Sequence, residues 1–424
     1  MGRHPPGART PPPHVWRRRV TPQTVRRPPE GLLGKLYLPR GADAAASAMT
    51  TYGVPLLVLA ATGSAAWTGL AFALQWLPRI GAFTVAGTLV DRHGTSRVFR
   101  VASLARALLT LSVAAALTLV DVRTTTAAVT VLLLAAIIGV LTEFSYVAAE
   151  TAGGQASRTA RGDAHRVQSA LITIDQTATL AGPAVAGLLI EHAGPAAMLS
   201  TLAAFSLLAA AFGPRHATAP DETGSPKRGL ASGWATLRTL PALAWLVGGL
   251  VISNGAVALL QAAVPVIVIT ELDHSSADAG LIWSAAAVTS LLAVTASRRA
   301  IDRFGLWPVG AAAGTAVAGA TLAVAQADTY RGYLLLIAVL MAGEGGLTVV
   351  LRTVRSHLIP ADAFGSTLAV TVLLLLLPYP AAGLLVAALP AAQLGHTVTA
   401  AALLQAVGLV VAFARLRRLP LTPA

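Results

Sequence analysis

Twelve apolar runs, each close to the roughly 20 residues that a helix needs to cross a bilayer, alternate with polar turns along the chain. In the first half they cover Leu36–Ala60, Ala65–Ala86, Val98–Val120, Ala127–Val147, Val167–Ile190 and Ala196–Phe212. In the second half they cover Ala244–Ile269, Ala279–Ala296, Val309–Ala327, Tyr333–Leu351, Thr367–Leu389 and Val398–Ala414. A membrane barrel would instead need strands of about ten residues with period-two alternation, and the chain has none. Pro55, Pro78, Pro183, Pro265 and Pro378 fall inside runs. They would break helices in water but are tolerated in lipid, where neighbouring helices re-satisfy the freed backbone groups. The pattern predicts an all-α polytopic membrane protein.

Composition points the same way. Of 424 residues, 55% are hydrophobic and 12% charged, half the usual share of about 25% in a soluble domain. Disorder would require low hydrophobicity, whereas mean hydropathy is +0.68. The chain has no Cys, which excludes disulfides, thiolate metal sites and cysteine nucleophiles together.

The formal charge of +13, from 31 Lys+Arg against 18 Asp+Glu, could suit a nucleic-acid partner. Its placement argues otherwise. With the N-terminus in the cytoplasm, only Arg123 and Arg331 fall outside, and Arg79 and Arg106 fall within runs; 31 less these four leaves 27 on or near the inner side. Asp121, Glu191, Glu271, Asp273, Asp278 and Asp328 lie outside. This is the positive-inside asymmetry of a multi-pass protein of the cell membrane with both termini cytoplasmic. Residues 1–35, rich in Pro and Arg, lack the apolar core of a secretory signal. They read as a disordered cytoplasmic tail drawn to anionic lipid, with no folded nucleic-acid reader beside them.

The hydrophilic stretch 214–240 separates a first bundle (36–213) from a second (241–416), with a short tail at 417–424. An even number of spans per half makes any repeat a parallel one. One such repeat is visible: Asp91-Arg92-His93-Gly94 follows the second run, and Asp302-Arg303-Phe304-Gly305 follows the eighth. Glycine permits the tight turn, and the Asp at the helix end can face a neighbouring helix N-terminus or an arginine.

With Gly87, Asp91, Arg92, Gly94 and Arg97 in the first copy and Asp302, Arg303 and Gly305 in the second, the chain resembles the major facilitator superfamily. Thr95 and Ser96 stand where further basic residues are usual, and Arg298 stands at the second glycine position. The resemblance covers residues 36–416 and looks most like the drug and siderophore exporter branch. It implies twelve transmembrane helices in two parallel-repeat six-helix bundles. It also implies that the repeated turns latch one conformation of the transport cycle. Gly182, Pro183 and Gly187 in the fifth run resemble a helix-bend motif of proton-coupled antiporters, although Leu188 replaces its last glycine.

Ionisable groups inside the runs are the functional leads, since each costs at least about 2.5–3.5 kcal/mol at mid-bilayer unless it meets a partner or water. Asp43, Arg79, Arg106, Glu143 and Asp175 in the first half and Glu344 in the second form one layer, roughly 6–12 Å from the inner face at 1.5 Å per residue. They are expected to line the proton and substrate pathway. Asp175 and Glu344, far in sequence from basic residues of their own spans, are the first candidates for the coupling proton; Glu143 is expected to pair with Arg106. Asn254, Gln261, Gln176, Gln75 and Trp76 are the deeper polar groups of an otherwise apolar interior.

No Walker A motif and no metal-ligand spacing is present, and the nine His residues lie outside the runs or near their ends. No cofactor, metal or nucleic acid is implied. The expected function is proton-coupled export of a small apolar or amphiphilic compound by a monomer in the lipid bilayer. An uncoupled facilitator or importer of the same fold is the alternative; a membrane assembly partner or lipid-modifying enzyme is the alternative of another class.

Overall fold

The computed structural model describes residues 33–119, 124–159, 164–213, 230–360 and 363–419. The basic tail up to residue 32, linker residues 214–229 and the last five residues lie outside that description. Within it the chain is helical: α1 (Leu38–Thr62), α2 (Ala65–His93), α3 (Thr95–Leu119), α4 (Thr125–Thr159), α5 (Ala164–Phe212), α6 (Leu230–Thr239), α7 (Pro241–Thr270), α8 (Ser276–Phe304), α9 (Leu306–Val324), α10 (Tyr330–Leu358), α11 (Phe364–Leu376), α12 (Pro378–Ala388) and α13 (Ala391–Leu416).

These helices make twelve spans. α5 carries the fifth and sixth, broken where Gly194 adopts φ 83°, ψ 171°. The turn between these two spans thus runs through one positive-φ glycine, a conformation other residues adopt only at a cost. The eleventh span divides into α11 and α12 at Pro378, whose missing N–H suits a helix start. Pro55, Pro78, Pro183 and Pro265 remain inside their helices. The break in α5 falls at Gly194, in the gap between the fifth and sixth apolar runs, and Pro183 stays within the helix. Within the linker, Leu230–Thr239 forms α6, whose Gly233 lies against the backbone of Ser366.

The turn after α2 and the turn after α8 fold alike. Gly94 has φ 81° and its N–H donates to the carbonyl of Val90 at 2.9 Å; Gly305 has φ 87° and donates to Ile301 at 2.9 Å. The repeated glycine is thus required by backbone conformation in both halves. Leu119 and Val410 are 86% and 68% exposed. Such large apolar side chains at the surface are what a lipid-facing wall presents, and many others accompany them.

The halves meet chiefly through α5 with α8 and α2 with α12. We call the end where α1 begins and α13 finishes the basic end, and the opposite end the far end. The close contacts between halves lie toward the far end. A Cβ on Gly69 would meet the backbone of Gly383 and Ala387, and one on Gly383 would fall 2.6 Å from the amide nitrogen of Ala73. A Cβ on Gly187 would meet the backbone of Ser276, and one on Gly280 the backbone of Pro183. Only hydrogen fits at these four positions, so the two helix pairs touch backbone to backbone.

Candidate functional site

The intramembrane charges are arranged in pairs, with one exception. Arg106 on α3 is completely buried and donates from Nη2 to Asp43 on α1 at 2.7 Å. Its remaining nitrogens reach Ser206 at 2.9 Å, Ser145 at 3.3 Å and Thr142 at 3.4 Å. Arg79 on α2 pairs with Glu143 on α4 and lies 4.6 Å from the Trp76 ring centroid. The expected Glu143–Arg106 pair is therefore corrected: each takes a different partner. α2 packs along α4 and carries Arg79 to Glu143, while the long Arg106 side chain reaches across to Asp43 on α1. Which helices adjoin decides this, and spacing along the sequence does not carry it.

Asp175 is also partnered. Arg40, 4% exposed near the start of α1, donates to both Asp175 oxygens at 2.7 Å and to Glu150 on α4 at 2.7 Å. The bidentate fork fixes Asp175 geometrically as well as electrostatically. Sequence reading grouped Arg40 with the basic residues at helix ends. Its position within the first apolar run, four residues past Leu36, was the signal that it is buried.

Glu344 on α10 is the exception. Among the described residues no Lys, Arg or His forms an ion pair with it. Ser253 on α7 donates to its Oε1, and Gln405 on α13 donates from Nε2 to Ser253 Oγ at 2.8 Å. Gln405 is wholly buried, yet its Oε1 has no partner. Glu344 lies midway along α10 and keeps part of its surface accessible. The repeat explains the missing cation. The two turns stand 211 residues apart (302 minus 91), which sets Ser290 of α8 at the place of Arg79. The neighbour of Glu344, Gly345, packs on that Ser290.

Aromatic rings gather where the halves meet. Tyr379 at the start of α12 lies 4.4 Å from Trp76 and 6.3 Å from Phe72. Nearer the far end, Tyr52 and Trp283 stand 5.9 Å apart beside a cavity of about 20 Å³, with Phe72 and Gln261 in its wall. That volume holds about one water. Asn254 donates to the carbonyl of Leu375 at 2.9 Å, at the break before Pro378. Gln75 is buried with neither amide atom partnered.

Two polar clamps hold the far end. Ala184 of α5 donates its N–H to Ser284 of α8 at 3.1 Å. Glu191, in the turn between the fifth and sixth spans, accepts the Ala277 N–H at 2.9 Å in the first turn of α8. A carboxylate is favoured there because helix N-termini present unpaired N–H groups and a positive dipole end. A hydrogen bond from the Ser275 side chain, then that from Ala277, hold the Glu191 carboxyl below its usual range, with His192 adding to the effect and Asp278 opposing it. Because the pKa is lowered in the closed state, the clamp is present above the ordinary glutamate value of about 4.3 and is lost as pH falls through the lowered one. Glu191→Ala is therefore expected to loosen far-end closure at pH 7, with the difference from the native chain shrinking only as pH falls below the ordinary glutamate range and through the lowered value. Labelling of a single cysteine at the far end checks this.

The turn residues Gly87, Asp91, Arg92, Gly94 and Arg97, and Asp302, Arg303 and Gly305, lie at the basic end, with Asp91, Asp302 and both arginines of the Asp-Arg pairs exposed. Gly182 fits against Ala48 of α1, while Pro183 and Gly187 meet α8. The motif thus brings α5 close to helices of both halves. Among the described residues, no group of three His, Asp or Glu is placed to hold a metal ion.

Removing one partner of a buried ion pair strands the other, at about 3–5 kcal/mol. Asp43→Asn is accordingly expected to lower the unfolding temperature of the detergent-solubilised protein markedly. Asp175→Asn, at a pair that is one-third exposed on its acidic side, should lower it less.

A family model described as Major Facilitator Superfamily matches residues 41–379. Among solved structures, the nucleoside transporter NupG is similar at a TM-score of 0.68 and 13% identity, covering 92% of this chain and 98% of that one. A bacterial homologue of the iron transporter ferroportin, in an inward-facing state, is similar at 0.65 and 19% identity, covering 91% and 98%. A bacterial metal transporter is similar at 0.63 and 18% identity, covering 90% and 97%. No curated protein matches the sequence. At these identities the likeness to solved structures is one of fold.

Proposed function

The chain belongs to the Major Facilitator Superfamily and is a transporter rather than an enzyme, and we propose that it exports a small apolar or amphiphilic compound, such as a drug or natural product, in exchange for protons by alternating access. The observation that carries the coupling is Glu344. Five of the six intramembrane charges singled out in sequence sit in ion pairs that cancel them; Glu344 has a serine and no cation. An unpaired carboxylate in a protein interior costs several kcal/mol. Gaining or losing a proton there therefore shifts the balance between two conformations by an amount large enough to drive a cycle.

With the basic end in the cytoplasm, as the Lys/Arg asymmetry favours, the far-end contacts form the outer gate and this conformation faces inward. Cargo then enters from the cytoplasm and meets Phe72, Trp76 and Tyr379, whose rings suit an apolar or flat compound. Asp91, Arg92 and Arg97, with Asp302 and Arg303, would hold the opposite conformation when the basic ends approach. One chain contains both gates, so a monomer suffices.

The test is flux in proteoliposomes. Candidate compounds are offered under an imposed pH gradient, and the gradient is then reversed. Cargo movement that reverses with it supports proton exchange. Movement indifferent to pH would leave a facilitator, and movement of no compound under any gradient would contradict export of this cargo class.

A further inference from the structure

On the outside of the second bundle, α9 and α13 enclose a groove of about 770 Å³ that the transport pathway does not use. Its walls follow helical spacing. Ala311, Gly314, Thr315, Ala318 and Gly319 lie on one face of α9, opposite Ala406, Leu409, Val410 and Phe413 of α13. Small residues on α9 hollow the groove, and Val410 stands 68% exposed at its edge. Thr315, the one hydroxyl in the apolar stretch, already donates to the carbonyl of Ala311 at 2.9 Å. The apolar length thus offers no free hydrogen-bonding group.

Polarity is confined to one end, the basic one. Trp307, Arg417 and Arg418 line the groove there, and both arginines are exposed. Arg417 lies 5.2 Å over the Trp307 ring, whose Nε1 is buried without a hydrogen-bond partner. From Trp307 to Gly319 the groove runs roughly 18 Å at 1.5 Å per residue, a little more than half of the roughly 30 Å hydrocarbon thickness. An apolar channel about one leaflet deep, with two exposed cations at its mouth, has the shape and charge complementary to a single anionic lipid.

We propose that this groove binds one anionic phospholipid of the leaflet at the basic end. The acyl chain lies along the small faces of α9 and the apolar face of α13. The headgroup phosphate meets Arg417 and Arg418. Lipid is the occupant that fits because the groove opens on the lipid-facing wall, and a phosphate complements the two arginines at the depth where Trp and Arg anchor membrane proteins.

The full-length protein, purified and equilibrated with equal phosphatidylglycerol and phosphatidylcholine, is analysed by native mass spectrometry. The native chain is expected to retain one phosphatidylglycerol in preference to phosphatidylcholine. Arg417→Gln with Arg418→Gln should weaken that preference roughly fivefold per arginine removed. Gly319→Leu, at a site where a Cβ meets no atom within 4 Å, should fill the groove and reduce bound lipid while leaving the arginines and the fold intact. Equal retention of both lipids, a preference that survives the arginine replacements, or full competition by inorganic phosphate alone would each overturn the proposal. So would a dimer whose formation Gly319→Leu abolishes, since a second copy would then occupy the face.

Discussion

Replacing Glu344 by glutamine is expected to make flux indifferent to a pH gradient while leaving exchange of cargo for cargo intact. Glutamine keeps the size of the side chain and can still accept from Ser253, so the α7–α10 contact and its link to Gln405 are preserved. The ability to change charge is lost. A one-unit pH gradient is worth about 1.4 kcal/mol per proton, a tenfold accumulation at one proton per cargo. The native chain should approach that ratio, and the variant should stay near one under the same gradient. Asp175→Asn is the matched control. Asp175 is held by the fork of Arg40, which also reaches Glu150, so its loss should reduce stability and leave the pH response in place. A pH response that survives Glu344→Gln and disappears in Asp175→Asn would move the proton to the first bundle.

Gly383→Leu is expected to stop transport in every mode, counterflow included. The added Cβ would lie 2.6 Å from the Ala73 nitrogen and 2.7 Å from the Gly69 carbonyl oxygen. Both are backbone atoms inside α2 and cannot swing aside as a side-chain tip can. Overpacking of this kind costs about 1–3 kcal/mol or more. Relief comes from separating α12 from α2, which is the opening of the far end. Since 1.4 kcal/mol is tenfold, the closed conformation should fall in population by about 5- to 150-fold. Gly69→Leu should do the same from the opposite helix. Gly81→Leu, where a Cβ meets nothing within 4 Å, should transport normally. The chain has no cysteine, so one introduced at the far end reports the opening by its labelling rate.

What the sequence conveys and what it hides divide along a physical line. A span is a local property, readable from some twenty consecutive residues. So is a turn such as Asp91–Gly94, where the glycine is required by its own φ. The position of each charge along its own helix is likewise a matter of counting residues. Which charge meets which is not, since pairing depends on the rotation and neighbours of each helix. Thus Glu143 was assigned to Arg106 when it meets Arg79, and Asp175 was left without the cation that Arg40 supplies. Ser253, next to Asn254, and Gln405 are polar residues in apolar runs, and nothing in their own spans distinguishes them from ordinary interhelical contacts. Gly69 and Gly383 were equally silent. Glycine is common in membrane helices, and only the approach of a second backbone gives these two a role. The break at Gly194 was legible for the same local reason as the turns, since it falls in the gap between the runs ending at Ile190 and starting at Ala196.

Alternating access is tested most directly by measuring both ends of one molecule at once. His192 and Asp273 lie on opposite halves at the far end, and His93 and Phe304 on opposite halves at the basic end; all four are exposed. The pairs His192→Cys with Asp273→Cys, and His93→Cys with Phe304→Cys, carry spin labels for distance measurement in liposomes at high and low pH. Exchange of gates predicts reciprocal change: as the far-end distance grows, the basic-end distance shrinks, and Glu344→Gln freezes both against pH. Two distances that stay fixed, or that lengthen and shorten together, would contradict it.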